Sequence, residues 1–495
     1  MRSYLACPKG VAYTVSMLEI RMSCVFFLFL LICLFSPSLS RAQQKPGVHE
    51  LPPDLSALLN DARLAAPELT VNTILTVLEK GRIRDQTLKK QLLDEAIRLS
   101  DNVKEPAQLW PIPVSDVSPN ESAAFLRASA HAQKLDRLDF LSRVIKLMID
   151  VDPLRARQIV QELSGNLKLK PRSCSDDMTY EVAGIYSAVG AVATHTFTEQ
   201  EVADGRRAIF LQSWLEDLDS PAQIEPALQL AFSLSGPLIE RQLLAGSITK
   251  GMTHDFHDDR TFTFTLGPVV RLLGARSRSV NGGEQDFVLQ GILTGFRDSI
   301  LKNLGSRCSG NEVADSTKLP LYIVAANRLF SERPIANDDI RTREIQKSGP
   351  FEESLGSASE TRLREDLLSL RGKLVDGKPV SESSPEWKTR VNAFVDKLEK
   401  WSGDGKQSEF TVFVVRATTY DSLLGSVADP ELKRYVARSF AIFLLRTPLQ
   451  KTEFLVWHLY ASRLLKTWPQ VFAELIPNYP NANIFSMLEA RQALQ

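Results

Sequence analysis

Residues 137–163 read RLDFLSRVIKLMIDVDPLRARQIVQEL. Leu138, Leu141, Ile145 and Met148 recur at spacings of three, four and three, the apolar stripe of one α-helix turned toward a core. Asp152-Pro153 follows, a capping side chain set before a proline at the first helical position, where the missing N–H costs nothing and φ is preset. The stretch therefore predicts a helix over 137–150 and a second over 153–164, joined by almost no loop. Two helices so connected pack as an antiparallel pair.

The same signals recur on either side. Ser220-Pro221, Ser384-Pro385 and Asp429-Pro430 repeat the cap-then-proline start, and Thr198 with Glu201 has the spacing of a capping box. Phe287, Leu289, Ile292, Leu293, Phe296, Ile300 and Leu304 form a stripe closed by Gly305; Trp387, Val391, Phe394, Leu398 and Trp401 form another, closed by Gly403. Such stripes are core faces before they are cofactor or partner grooves. Helices are expected over 67–80, 85–100, 121–134, 137–150, 153–164, 178–194, 199–217, 221–233, 237–249, 285–304, 319–330, 360–372, 385–402, 430–446 and 451–467. Thr261–Thr265 alternates with a period of two, but without a partner strand it reads as an extended connection. Thr411–Tyr420 is rich in β-branched residues, yet Phe410, Val414, Ala417 and Leu424 fit helical spacing, so a helix is expected there. The fold class is all-α: an array of short antiparallel helices, α-solenoid-like in its density of helices although no period of about 34–47 residues is present.

Of 495 residues, 44% are apolar and 24% charged, with 59 Lys+Arg against 59 Asp+Glu. This is the composition of a globular protein, and without a cationic surplus it gives no reason to expect nucleic acid as a partner. Residues Cys24–Phe35 (CVFFLFLLICLF) are apolar and uncharged, too short a run for a membrane span of about 20 residues but suited to the core of a signal peptide. Arg21 precedes it, and Ser40-Arg41-Ala42 offers small residues for cleavage after Ala42. Met1, Met17 and Met22 are alternative starts. Residues 1–42 are thus expected to leave as a signal, with no stable membrane span afterwards. They carry Arg2, Lys9, Arg21, Arg41 and Glu19, so the chain that remains is slightly acidic. Three of the five cysteines leave as well, and Cys174 and Cys308 remain as either one disulfide or two unrelated buried thiols. A polar, Gly/Ser-rich stretch divides the remainder into an N-terminal helical array (43–330), a linker (331–359) and a C-terminal helical part (360–495).

Leu92–Trp110 (LLDEAIRLSDNVKEPAQLW), Asp150–Leu163 (DVDPLRARQIVQEL), Ser173-Cys174-Ser175-Asp176 and Arg307-Cys308 together resemble exported α-helical proteins of acidobacterial genomes. The resemblance covers residues 85–310 and rests on no catalytic motif. It implies bacterial export, to the periplasm or the medium, and a helical fold. It implies no activity.

No nucleophile elbow, H-E-x-x-H pair, Walker A loop or G-x-G-x-x-G is present. Gly403-Asp404-Gly405-Lys406 lacks the spacing of a phosphate loop and reads as a connection. Thr253–Asp259 (THDFHDD) gathers two of the six histidines with three carboxylates. If helical, His254, His257 and Asp258 share a face and present two imidazoles and a carboxylate to one divalent ion. The competing reading is a hydrophilic loop in which Asp258-Asp259 caps the next element. His131 and His195 are the only other candidate ligands nearby. Asn120-Glu121-Ser122 matches a glycosylation sequon. Trp457, His458, Tyr460 and Trp468 read as a buried helix pair before a binding surface. No cofactor is expected. The function these features imply is that of an exported, non-catalytic scaffold for a protein or peptide. The alternatives are a metal-dependent envelope hydrolase centred on His254 and His257, and a purely structural envelope component.

Overall fold

Helix α1 (Pro53–Arg63) packs on α2 (Pro67–Glu79), and α2 on α3 (Gln86–Ser100). The computed structural model describes residues 51–111, 129–173, 178–256, 258–279, 284–303, 321–330, 333–336, 358–372, 374–375, 378–379, 381, 384–405, 407–448, 454–475 and 488. All fall within one unit, Leu51–Gln495. The expected signal, Asn120, Cys174, His257, Cys308 and most of the expected linker lie outside the described residues.

The opening stretch folds as its spacing requires. Asp136 caps α4 (Arg137–Val151) by accepting from the Asp139 N–H at 3.0 Å, and Asp152 caps α5 (Pro153–Asn166) by accepting from the Arg155 N–H at 3.0 Å. Leu138, Leu141, Ile145 and Met148 are buried. A strand β1 (Gln108–Pro111) pairs antiparallel with β2 (Met178–Glu181), Gln108 opposite Glu181. The helix expected from residue 178 therefore begins later, as α6 (Ala183–His195). Thr198 and Glu201 form the capping box of α7 (Glu199–Ala203). Gly205, at φ 74°, separates α7 from α8 (Arg206–Glu216), so one expected helix is two. Ser220 caps a 3₁₀ turn, Pro221–Gln223, that leads into α9 (Ile224–Ser233). Next come α10 (Leu238–Met252), α11 (Phe262–Ser279), α12 (Glu284–Asn303) and α13 (Leu321–Asn327).

Helix α11 corrects the reading of Thr261–Thr265 as an extended connection. The alternation is real, but the residues that bury themselves are Phe262, Leu266, Val269 and Leu273, at helical spacing. Asp259 starts the helix by accepting from the Thr261 N–H at 2.8 Å, an Asx turn.

Two series of contacts order these helices. Helices α2, α4, α6, α9, α11 and α13 each pack on the next, and so do α5, α8, α10 and α12. Helices α6 and α9 run parallel, as do α8 and α10, and α10 and α12. Tyr186 and Gly190 of α6 meet Gln223 and Leu230 beside and in α9. Arg207 and Glu216 of α8 meet Glu240 and Lys250 of α10. Thr249 of α10 lies against Gly295 of α12, and Lys302, about two helical turns beyond Gly295, donates to the Thr253 carbonyl at 2.7 Å. The Gly295 contact is tight enough that an added Cβ would stand 2.4 Å from Thr249 Cγ2.

The C-terminal part is also helical: α14 (Ala358–Arg371), a short β3–β4 pair (374–375 with 378–379), α15 (Pro385–Lys400), α16 (Glu409–Ser426), α17 (Pro430–Arg446), α18 (Phe454–Thr467) and α19 (Pro469–Leu475). Helix α16 bears out the helical reading of the β-branched stretch. Gly403 and Gly405, both at positive φ, turn the chain between α15 and α16. Trp457, His458 and Tyr460 are buried, as expected of a helix pair, while Trp468 is only half-buried. Gln133 joins the two parts, donating to the Leu455 carbonyl at 2.8 Å and meeting His458 Nδ1 with its own carbonyl. The protein is all-α, and among the described residues no helix is long and apolar enough to cross a membrane.

Candidate functional site

The His/Asp cluster begins where α10 ends. Met252 is the last helical residue, and of the described residues that follow, 253–256 and 258–260, none is helical. The condition for placing His254 and Asp258 on one helix face is therefore not met. The His254 ring places Nδ1 3.0 Å from the Leu218 carbonyl, and its own carbonyl accepts from Asn303 at 3.1 Å. Asn303 also takes the Phe256 N–H at 2.6 Å, so one buried amide at the end of α12 holds the loop.

Asp259 is the cluster's buried carboxylate. It accepts from Thr261 Oγ1 at 2.6 Å, the Thr261 N–H at 2.8 Å, the Arg172 N–H at 3.2 Å and Ser220 Oγ at 3.5 Å. Burial pushes its carboxyl up, against the downward pull of the Thr261 donors. A carboxylate whose oxygens face four donors organises a loop. It ties the segment before β2, the turn before α9 and the start of α11 to one point. His131 is buried ahead of α4, and His195 is exposed at the end of α6. Among the described residues, no three His, Cys, Asp or Glu side chains gather to hold a metal ion.

A second feature has no counterpart in the sequence reading. Helices α5, α8, α10 and α12 each expose a large apolar side chain in the N-terminal half: Leu154, Ile209, Ile239 with Leu243, and Phe287. Ile209 is 68% exposed and Phe287 73%. A contact puts Ile209 and Leu243 at similar levels. Ile209 stands two residues beyond Arg207, and Leu243 three beyond Glu240, the pair that joins those helices. Helices in contact lie about 8–10 Å apart, so the four that carry these residues extend over roughly 30 Å.

No family model, curated protein or solved structure matches the chain.

The line escapes sequence reading for a physical reason. Each of its residues falls off the core stripe of its own helix, where a single apolar residue is unremarkable. Only the packing of these helices on one another brings them near.

Proposed function

We propose that the chain is an exported, non-catalytic scaffold that binds a protein or peptide partner along its helical array. The observation that carries the reading is the exposed apolar line from Leu154 to Phe287. Solvent-facing apolar residues are ordinary singly, but a row of them over neighbouring helices is the composition of an interface core. The packing of helices in two series that follow the chain order supports a solenoid-like reading, in which successive helices offer an extended face to a partner. The apolar segment 24–35 supports export, and the balance of charge supports a partner other than nucleic acid.

Affinity purification of the tagged mature protein from its native envelope, with mass spectrometry and metal analysis on the same eluate, tests this reading. The expected result is a cross-linkable partner in stoichiometric amount and no bound metal. Stoichiometric metal that disappears in a His254→Ala/His257→Ala variant would replace the scaffold with the metal-dependent hydrolase.

A further inference from the structure

Helix α11 holds three arginines and no carboxylate, and the sequence from Arg260 to Gly283 has no Asp or Glu either. Arg276 and Arg278 stand in its last turn, where the helix dipole favours cations. Arg271 stands in mid-helix, and the dipole does not account for it. A glycine lies four residues before Arg271 and another four before Arg278. The arginine Nη1 atoms stand 3.5 and 3.7 Å from where a Cβ would be on Gly267 and Gly274. Both guanidiniums are thus laid back along one face of α11, seven residues or about 10 Å apart.

Helix α13 extends this face. Leu329 places Cδ2 3.6 Å from the Cβ position of Gly274, which brings Arg328 alongside α11. A few residues on, the Arg333 carbonyl accepts from Arg297 Nε of α12 at 2.8 Å. No carboxylate occurs in 321–330 or 333–336. Arg297 has Asp298 at 4.0 Å, but Arg271, Arg278, Arg328 and Arg333 are exposed and form no salt bridge among the described residues. Elsewhere exposed arginines are paired: Arg63 with Glu95, Arg82 with Asp54, Arg434 with Glu474 and Arg463 with Asp421. In a chain whose charges balance overall, the α11–α13 face is a local, uncompensated excess of positive charge.

Its complement is anionic, and the apolar neighbours indicate the kind of anion. Phe264 stands seven residues before Arg271, on the same face of α11, and Val324 stands one turn before Arg328. Both are exposed. Arginines interspersed with exposed apolar side chains are the composition of helices that lie on a bilayer, where cations meet the phosphates and apolar groups enter the headgroup boundary. A cluster of about four to eight Lys or Arg is what anionic lipid attracts. We propose that α11 and α13 form a docking face for an anionic phospholipid surface, with Arg271, Arg278, Arg328 and Arg333 on the phosphates and Phe264 and Val324 at the headgroup boundary. The partner reading concerns α5, α8, α10 and α12, so either can fail while the other stands.

The test is flotation of the full mature chain with vesicles of phosphatidylcholine alone, or mixed equally with phosphatidylglycerol. Binding is expected only to the mixed vesicles, and it should fall steeply between about 0.1 and 1 M salt as the Debye length shortens from about 10 to 3 Å. Arg271→Gln/Arg278→Gln/Arg328→Gln should lower the affinity about a hundredfold, about fivefold for each arginine near an anionic surface. Arg82→Gln/Arg434→Gln/Arg463→Gln removes the same charge from arginines already paired and should bind as the wild type does. All six side chains are exposed, so both variants should melt near the wild-type temperature. Equal binding to the two kinds of vesicle, binding to neither, or equal losses in the two variants would each overturn the proposal. Capture of polyglutamate but not of vesicles would overturn it in favour of an acidic polypeptide.

Discussion

Replacing Glu240 with alanine is expected to destabilise the protein by about 3–5 kcal/mol, a large part of the total stability of an ordinary domain. Glu240 is 1% exposed and its partner Arg207 8%. The pair is bidentate, Nε to Oε1 at 2.8 Å and Nη2 to Oε2 at 2.8 Å, and Nη2 also donates to the Ser235 carbonyl at 2.6 Å. Gly236 leaves room for it, since a Cβ there would stand 1.9 Å from Glu240 Oε2. Removing the carboxylate strands a guanidinium where water cannot reach it. Removing both charges does not, so Arg207→Met/Glu240→Leu should recover most of the loss. Urea denaturation of the three proteins measures both effects. A Glu240→Ala cost within experimental error of zero would mean that α8 and α10 are not joined through this pair.

Asp136 should contribute a stabilisation that is lost as pH rises from about 4 to 7, against the opposite trend of Glu95, Glu201 and Glu216, whose carboxyls are held low in the folded protein. Its carboxyl caps α4 through Oδ1, while Oδ2 is buried without a partner among the described residues. Burial pushes it up to about 7, although the Asp139 and Gln108 N–H groups pull it down and the Asp139 charge pushes it further up. A folded-state value above the unfolded one means that the native state holds the proton more tightly. The stabilisation is complete below the unfolded value near 4 and is lost as pH climbs through 7, up to about 4 kcal/mol in all. Asp139 and Asp259, also raised, act with the same sign. Asp136→Asn keeps a good capping side chain and cannot ionise. The difference in unfolding free energy between wild type and this variant should therefore change between pH 4 and 7 and level off above. Parallel pH profiles for the two proteins would remove Asp136 from the account.

The sequence is most legible where local and tertiary demands coincide. In α4 and α5 the apolar spacing, the two aspartate caps and Pro153 agree, and both helices stand close to their expected bounds. Around Thr261 they conflict. The period-two alternation of Thr and Phe is a strand signal, but the decisive interactions are an Asx turn from Asp259 and the burial of Phe262, Leu266, Val269 and Leu273. Helix α1 also went unread, although Leu55, Leu58, Leu59 and Ala62 have helical spacing, because Pro52 gives it no capping side chain. The strand pair β1–β2 joins residues about seventy positions apart, a pairing that no local pattern reports. For the candidate site, the sequence pointed to a histidine cluster whose buried carboxylate holds a loop. It did not reveal the exposed apolar residues of α5, α8, α10 and α12, which only the packing of these helices brings near one another.

The scaffold reading is tested most directly by charging that line. Ile209→Asp, Leu243→Asp and Phe287→Asp place carboxylates at positions already open to solvent, so the triple variant should fold and melt as the wild type does. Cross-linked capture from the native envelope, quantified side by side for the two proteins, is predicted to retain the partner on the wild type and lose it on the variant. Equal capture by both, at equal melting temperature, would contradict the assignment of this surface to a partner.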